Sequence, residues 1–257
     1  LNLFYTNSST ISNNTINTNK GYSIFLYSSS TSNNLSNNTI TTSGGYGYGI
    51  YLVSSSNSNT LTNNTITTSG DYGYGIYLDS SSNSNILSST ITTSGSYGRG
   101  LWLYLSSNSN IFSNNTITTF GTAGYGIYLV SSSNNNSFSG MNVKANNTNG
   151  YAFYIFDTNH NFTIRDSILN SSYAGVQEFY VRSTVTGGTW NLTNVTRANG
   201  NSINVSWSAG ANGTLNMHWY LDVNVSDVFT NASLQNANVS AWDKNNVFQF
   251  SELTGSN

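Results

Sequence analysis

Along the first two-thirds of the chain, apolar residues fall in short alternating runs that return in a fixed order. In Gly49-Ile50-Tyr51-Leu52 the alternation sends Ile50 and Leu52 to one side and Tyr51 to the other. Ser54 to Asn59 reads as a polar turn. Leu61 begins a second run, Asn64-Thr65-Ile66-Thr67 forms a third, and a glycine-rich corner from Ser69 to Gly73 closes the unit. The unit returns as GYGIYLDSSSNSNILSSTITTSG from Gly73, GRGLWLYLSSNSNIFSNNTITTFG from Gly98 and GYGIYLVSSSNNNSFSGMNV from Gly124. Positions equivalent to Gly49 fall at Ser23, Gly75, Gly100, Gly126 and Ala152, about 25 or 26 residues apart. A stacked solenoid must keep such a period, because one unmatched residue puts later side chains out of register.

Three inward columns follow from the pattern. Ile24/Leu26, Ile50/Leu52, Ile76/Leu78, Leu101/Leu103, Ile127/Leu129 and Phe153/Ile155 line one wall. Ile16, Ile40, Ile66, Ile91, Ile117, Val143 and Ile168 line a second, and Leu35, Leu61, Ile86, Phe112 and Phe138 a third. A leucine-sized side chain gains about 1.5–3 kcal/mol on burial, so these rows suffice for a continuous core. Asn57, Asn83, Asn108 and Asn134 repeat in register and predict a ladder of amides bonding coil to coil. The pattern predicts an all-β chain: a right-handed parallel β-helix of about seven coils, rising about 4.8 Å per coil. It is placed over residues 1–198, with register weakening after Ile168 and irregular coils between Tyr173 and Trp190.

The remaining stretch, 199–257, changes character. Trp219-Tyr220-Leu221-Asp222-Val223-Asn224-Val225 alternates like a sandwich strand, and Ala237 to Trp242 reads as another. A full sandwich needs about seven strands and about 100 residues. The expectation is therefore a small or incomplete β-sandwich module, or one completed by a partner chain.

The SSNSNxLxNNTI strings ending at Ile66, Ile91 and Ile117 resemble the Asn/Ser-rich right-handed β-helix repeats of the NosD-like, pectate-lyase-like superfamily, common in large archaeal surface proteins. WYLDVNVSD followed by LQNANVSAWDKN is similar to the opening half of Ig-like or carboxypeptidase-regulatory-like modules found after such helices. The resemblance covers roughly residues 1–190 for the repeats. It implies the fold and says little of activity. The copper link of NosD-like repeats does not carry over, since Met141 and Met217 are the only methionines.

Composition narrows the class. The 257 residues contain no proline, which cannot donate to a β ladder. Charged residues make up 6%, against roughly 25% in an ordinary soluble domain, and Asn, Ser and Thr supply the polarity instead. The net charge of -2 gives no electrostatic case for nucleic acid or an anionic membrane. No apolar run approaches the roughly 20 residues of a membrane span. Without cysteine there is neither a disulfide nor a thiolate metal site.

Candidate chemistry comes in four kinds. The acids are Asp71, Asp79, Asp157, Asp166, Glu178, Asp222, Asp227, Asp243 and Glu252. Asp79 and Asp157 are expected at one coil position, three coils and roughly 14 Å apart, beyond the roughly 5–9.5 Å of a glycosidase pair. Asp157, His160, Arg165 and Asp166 form the best local group, with a polar turn and ion pair as its plain account. His160 and His218 are too few for a convincing metal site. No cofactor is implied, and the chain is expected not to be an enzyme.

The second kind is an outward aromatic stripe, Phe25, Tyr51, Tyr77, Trp102, Tyr128 and Tyr154, beside a companion row of Tyr22, Tyr48, Tyr74, Tyr125 and Tyr151 broken by Arg99. It reads either as cross-strand pairing or as an exposed glycan platform or subunit contact. The third is the pairs Thr39/Thr41, Thr65/Thr67, Thr90/Thr92 and Thr116/Thr118, which resemble ice-binding ranks but are also a plain choice for an exposed strand. The fourth is N-glycosylation. Asn37, Asn63, Asn114, Asn161, Asn191 and Asn224 are candidates, the first three turned outward by alternation.

The leading expectation is a non-catalytic extracellular protein at a cell surface that assembles with copies of itself into a filament, sheath or lattice. Its first coil begins at Leu1 without a polar cap, the last module reads as unfinished, and the stripe offers a lateral contact. N-linked glycans and cell-surface carbohydrate are the other expected partners. A glycan-binding adhesin is the alternative, with a polysaccharide-degrading enzyme or an ice-binding protein behind it.

Overall fold

The computed structural model describes residues 1–157, 160–173, 175–220, 223–242 and 246–255. It divides into two units, Leu1–His218 and Trp219–Asn257. The first is a parallel β-helix. Its first sheet holds nine strands: Asn2–Phe4, Tyr22–Tyr27, Tyr48–Leu52, Ile76–Leu78, Leu101–Leu103, Ile127–Leu129, Phe153–Ile155, Phe179–Val181 and Val205–Trp207. Neighbours pair in parallel with like on like, as in Ile50↔Ile76, Tyr51↔Tyr77 and Leu52↔Leu78. The sequence period is thereby converted into columns. No helix long and apolar enough to cross a membrane occurs among the described residues.

The second and third runs of each coil share one thirteen-stranded sheet. In Thr60–Thr68, Ile86–Thr93, Phe162–Ser171 and Thr186–Thr196 they form a single strand. The join in most coils is one residue in the left-handed region: Asn13, Asn37, Asn63, Asn114, Gly140, Asp166 and Asn194, with φ from 50° to 60°. Asparagine tolerates this conformation because its short amide bonds locally. The extra residue resets the alternation, so that Leu35 and Ile40 both point inward although their spacing is odd.

One coil lacks this residue. The register steps between Ser88 and Ser89, where Ser88 faces Thr62 and Ser89 faces Asn64. Two of the expected core positions differ in the structure. Leu87, not Ile86, continues the column from Leu61 to Phe112, and Ile86 is 42% exposed. The deletion lies after the column position, so the phase before it is unshifted. Likewise Leu169 pairs with Val143 and is buried, while Ile168 faces Asn142 and is exposed.

The core is a continuous apolar cluster from Ile11 to Ile203. Its aromatic members stack from coil to coil: Phe112 on Phe138 at 4.8 Å and Phe153 on Phe179 at 5.0 Å. Beside it runs a buried polar ladder that the sequence reading missed, Asn33, Asn59, Asn85, Asn110 and Asn136. Each donates its backbone N–H and its Nδ2–H to Oδ1 of the next, at 2.8–3.2 Å. The anticipated ladder also forms, with Oδ1 of Asn57, Asn83 and Asn108 accepting the backbone N–H of Asn83, Asn108 and Asn134. The serine turns are closed internally: Ser56, Ser82, Ser107 and Ser133 donate to the carbonyls of Val53, Asp79, Tyr104 and Val130. The amides and hydroxyls of these ladders and turns are thus paired along the stack, as a stable interior requires.

The helix continues past the expected boundary at 198. Val205–Trp207 pairs with Phe179–Val181, and Asn212–His218 pairs with Thr186–Thr196. These strands have lost the repeat yet still satisfy the ladder. In the second unit Asn238–Trp242 pairs antiparallel with Phe248–Leu253, a small sheet that fits the expected small extra module. Trp219, Tyr220 and Val223 to Val225 are not strand, which corrects the expected strand at its described positions; Val225 O instead accepts from Leu234 N–H. Leu221, Asp222 and Asp243 lie outside the described residues.

Candidate functional site

The first sheet carries its aromatic rings outward, as alternation requires, but they form a layer and not an exposed platform. Phe25, Tyr51, Tyr77 and Trp102 lie nearly parallel, with centroid separations of 5.1, 4.7 and 4.4 Å. Tyr48 and Tyr74 of the companion row meet Tyr77 and Trp102 edge-on. Tyr77, Tyr128 and Tyr154 are buried, and Phe25, Tyr51 and Trp102 half-buried. This corrects the exposed-stripe expectation. Coils one strand spacing apart bring rings face to face, so each ring spends its faces on its neighbours and shows solvent an edge. The broadly exposed column, missed in the sequence reading, is Tyr46, Tyr72 and Tyr97 at the glycine-rich corner, stacked at 5.0 Å. Its period was legible in the repeat; its exposure was not.

Burial raises the pKa of Tyr48, Tyr51, Tyr74, Tyr77, Tyr125, Tyr128, Tyr151 and Tyr154. Tyr128 is pushed up to about 12, with Arg99 opposing the shift. Tyr51 rises further, from burial and from the hydrogen bond its hydroxyl donates to Asp79 Oδ2 at 2.8 Å. Arg99 occupies the companion row between Tyr74 and Tyr125. Its guanidinium lies 4.6 Å from the Trp102 ring and 4.4 Å from the Tyr128 ring, within cation–π range. Arg99 Nε and Trp102 Nε1 are both buried without a hydrogen-bond acceptor. Two neighbouring donors of this kind mark the layer's one polar irregularity among the described residues.

Among the described residues the acids do not converge. Asp79 N–H binds Leu52 O and Phe156 N–H binds Leu129 O, so Asp79 is equivalent to Phe156. Asp157 sits one position further along the coil, which corrects the expected coincidence. Asp157 and His160 pair at 3.0 Å, and Ser131 N–H donates to Asp157 at 2.6 Å. Burial works to raise the Asp157 pKa, but the hydrogen bonds from His160 and Ser131 outweigh it and hold the carboxyl below its ordinary value. His160 is fully buried, and its carbonyl accepts from Trp190 Nε1. These bonds lock the turn that carries Asp157 and His160. Arg165 and Asp166 lie on the strand Phe162–Ser171, where Asp166 accepts from Asn194. Among the described residues no three His, Asp or Glu side chains gather as a metal site would need.

The sequons divide by environment. Asn37, Asn63 and Asn114 are exposed and stand in one column at the left-handed corner, with Asn13 in the same file. Their outward position comes from that corner. Asn161 Oδ1 accepts from Thr189 N–H, and Asn191 Oδ1 from Asn216 Nδ2, so neighbouring coils hold both amides. Asn161 and Asn191 border one shallow depression of about 320 Å³. Asn224 is exposed in the second unit. The threonine pairs are in register from Thr39 to Thr116, and the ranks end at Asn142 and Lys144.

The family described as "Right handed beta helix region" matches residues 1–66 and 45–203. No curated protein sequence matches the chain. Among solved structures it is similar to the periplasmic alginate epimerase AlgG, at 15% identity and a TM-score of 0.55, covering 78% of this chain and 48% of that one. A mutant of the same epimerase aligns with a TM-score of 0.58 over 77% of this chain and 48% of that one. The chain thus spans about half the length of these structures, and at this identity the likeness concerns the fold.

Proposed function

This chain belongs to the right-handed β-helix family, and from that premise we propose that it is a non-catalytic structural module of an extracellular, cell-surface glycoprotein of the archaeal type. The observation that carries the reading is the file of exposed sequons Asn13, Asn37, Asn63 and Asn114 along one edge of a nearly charge-free stack. N-linked sugar there would supply the solubilising coat that charge supplies elsewhere. It would also stand beside the threonine ranks and keep ice from them. Lateral association between copies would run through Tyr46, Tyr72 and Tyr97, whose column offers more exposed apolar area than the self-covered stripe. The test is surface labelling of intact producing cells together with electron microscopy of the purified protein. Surface exposure with ordered polymers is expected. An intracellular location would overturn the reading, and strictly monomeric particles at high concentration would overturn assembly.

A second reading, a glycan-binding adhesin, is favoured by the two unpaired donors at Arg99 and Trp102. With ring faces taken, a sugar would meet edges and a guanidinium, which suits an acidic glycan. The fold neighbour is an alginate epimerase, so alginate is the natural probe. Binding of alginate oligomers that is lost in Arg99→Ala supports this reading. Equal binding by both proteins, or none by either, rejects it.

A further inference from the structure

The sequon file is not uniform, and its irregularities decide where sugar fits. Successive members stand one strand spacing apart, about 4.8 Å, which is little more than the thickness of one sugar ring. Asn37 is flanked on both sides, by Asn13 and by Asn63, each a residue with its own side chain at the same corner. Asn63 is flanked by Asn37 on one side only. On the other side the coil lacks its corner residue, and the gap is a notch of about 230 Å³ lined by Asn63, Ser88, Ser89, Thr90 and Asn114. At its floor the Ser89 hydroxyl is buried and has no hydrogen-bond partner. Asn114 has the notch on one side and Gly140 on the other. A Cβ at Gly140 would lie 2.3 Å from Asn114 Oδ1, so the amide leans into space that only a glycine leaves open.

We infer that the sugar chains of this file are borne by Asn63 and Asn114 together, on either side of the shortened coil, and that Asn37 stays bare because a sugar on Asn63 covers it. The inference rests on the glycoprotein reading above and deepens it. Asn63 and Asn114 are two coils apart, about 10 Å, so both can carry a chain. Asn37 and Asn63 cannot both do so without driving two sugars into the width of one. The first sugar on Asn63 lies over the notch, where its hydroxyl and amide groups face Ser89 and Thr90. The missing residue that makes one repeat shorter is thus a spacer for modification.

The test is site-by-site glycopeptide mass spectrometry on the full chain secreted by a host that N-glycosylates Asn-x-Ser/Thr. Asn63 and Asn114 are expected on the same molecules, with Asn37 occupied several-fold less. Frequent double occupancy of Asn37 and Asn63, or Asn37 above Asn63, overturns the inference. Sugar confined to Asn161, Asn191 or Asn224 overturns it while leaving a glycoprotein; no sugar anywhere sinks the parent reading as well. Two variants probe the cause. Thr65→Ala removes the Asn63 sequon at an exposed position, and Asn37 occupancy should then rise several-fold. Gly140→Asn suits the left-handed corner, creates no sequon before Met141-Asn142, and should lower Asn114 occupancy several-fold while sparing Asn63. Unchanged occupancies in both variants refute the steric account.

Discussion

At the scale of single residues, stability rests on amides and rings that serve two coils at once. Asn59 accepts two donors from Asn33 and gives its own Nδ2–H to Ser30 O. In Asn59→Ala those three groups lose their partner in a buried setting, each costing about 1–3 kcal/mol. The expected result is a large loss of stability in chemical denaturation, far beyond that of Asn57→Ala on the half-buried ladder. A loss near 1 kcal/mol in Asn59→Ala would mean that the ladder is not tightly formed. The tyrosine layer sets a pH limit. Tyr51, Tyr77, Tyr128 and Tyr154 have folded pKa values raised by burial, while in the unfolded chain tyrosine ionises at about 10. The layer's contribution is therefore complete below about pH 10 and is lost as pH rises toward the folded values, about 12 for Tyr128. An alkaline titration should show part of the tyrosinate absorbance appearing together with loss of the β-sheet signal. Full ionisation with the fold intact would refute the burial of this layer.

At the scale of elements, register decides which of two adjacent apolar residues matters. Ile86 and Leu87 look interchangeable in sequence, yet only Leu87 enters the column between Leu61 and Phe112. Leu87→Ala should cost about 2–5 kcal/mol, whereas Ile86→Ala should stay within about 0.5 kcal/mol. Equal costs, measured by urea unfolding, would place the deletion elsewhere in the coil. The glycine that recurs at Gly49, Gly75, Gly100 and Gly126 reflects close approach of an opposing isoleucine or valine and of the next coil's backbone. A Cβ on Gly49 would lie 2.3 Å from Ile66 Cγ2 and 2.6 Å from Gly75 O.

At the scale of the whole molecule, the helix is a sum of coils, each satisfied mainly by its neighbours. It extends to His218, and the segment beyond forms a separate unit. A chain ending at His218 should therefore melt, by circular dichroism, within a few degrees of the full chain. A collapse of the helix on that truncation would show that the second unit is needed to close its last coil.

The period of glycines and inward apolar residues was enough to determine an all-β stack, its three walls and the first aromatic row, because in-register parallel coils place like residues on like. Sequence pattern also marked Asn57 to Asn134 as a ladder and Asn37, Asn63 and Asn114 as exposed. Tertiary structure alone decided the rest. Whether Asn33 and Asn59 are buried, whether a ring offers a face or an edge, and where a missing residue is absorbed all depend on what the adjacent coil puts opposite. The strands at Val205–Trp207 and Asn212–His218 were invisible for the same reason: without the repeat, only an open ladder edge beside them makes them strands.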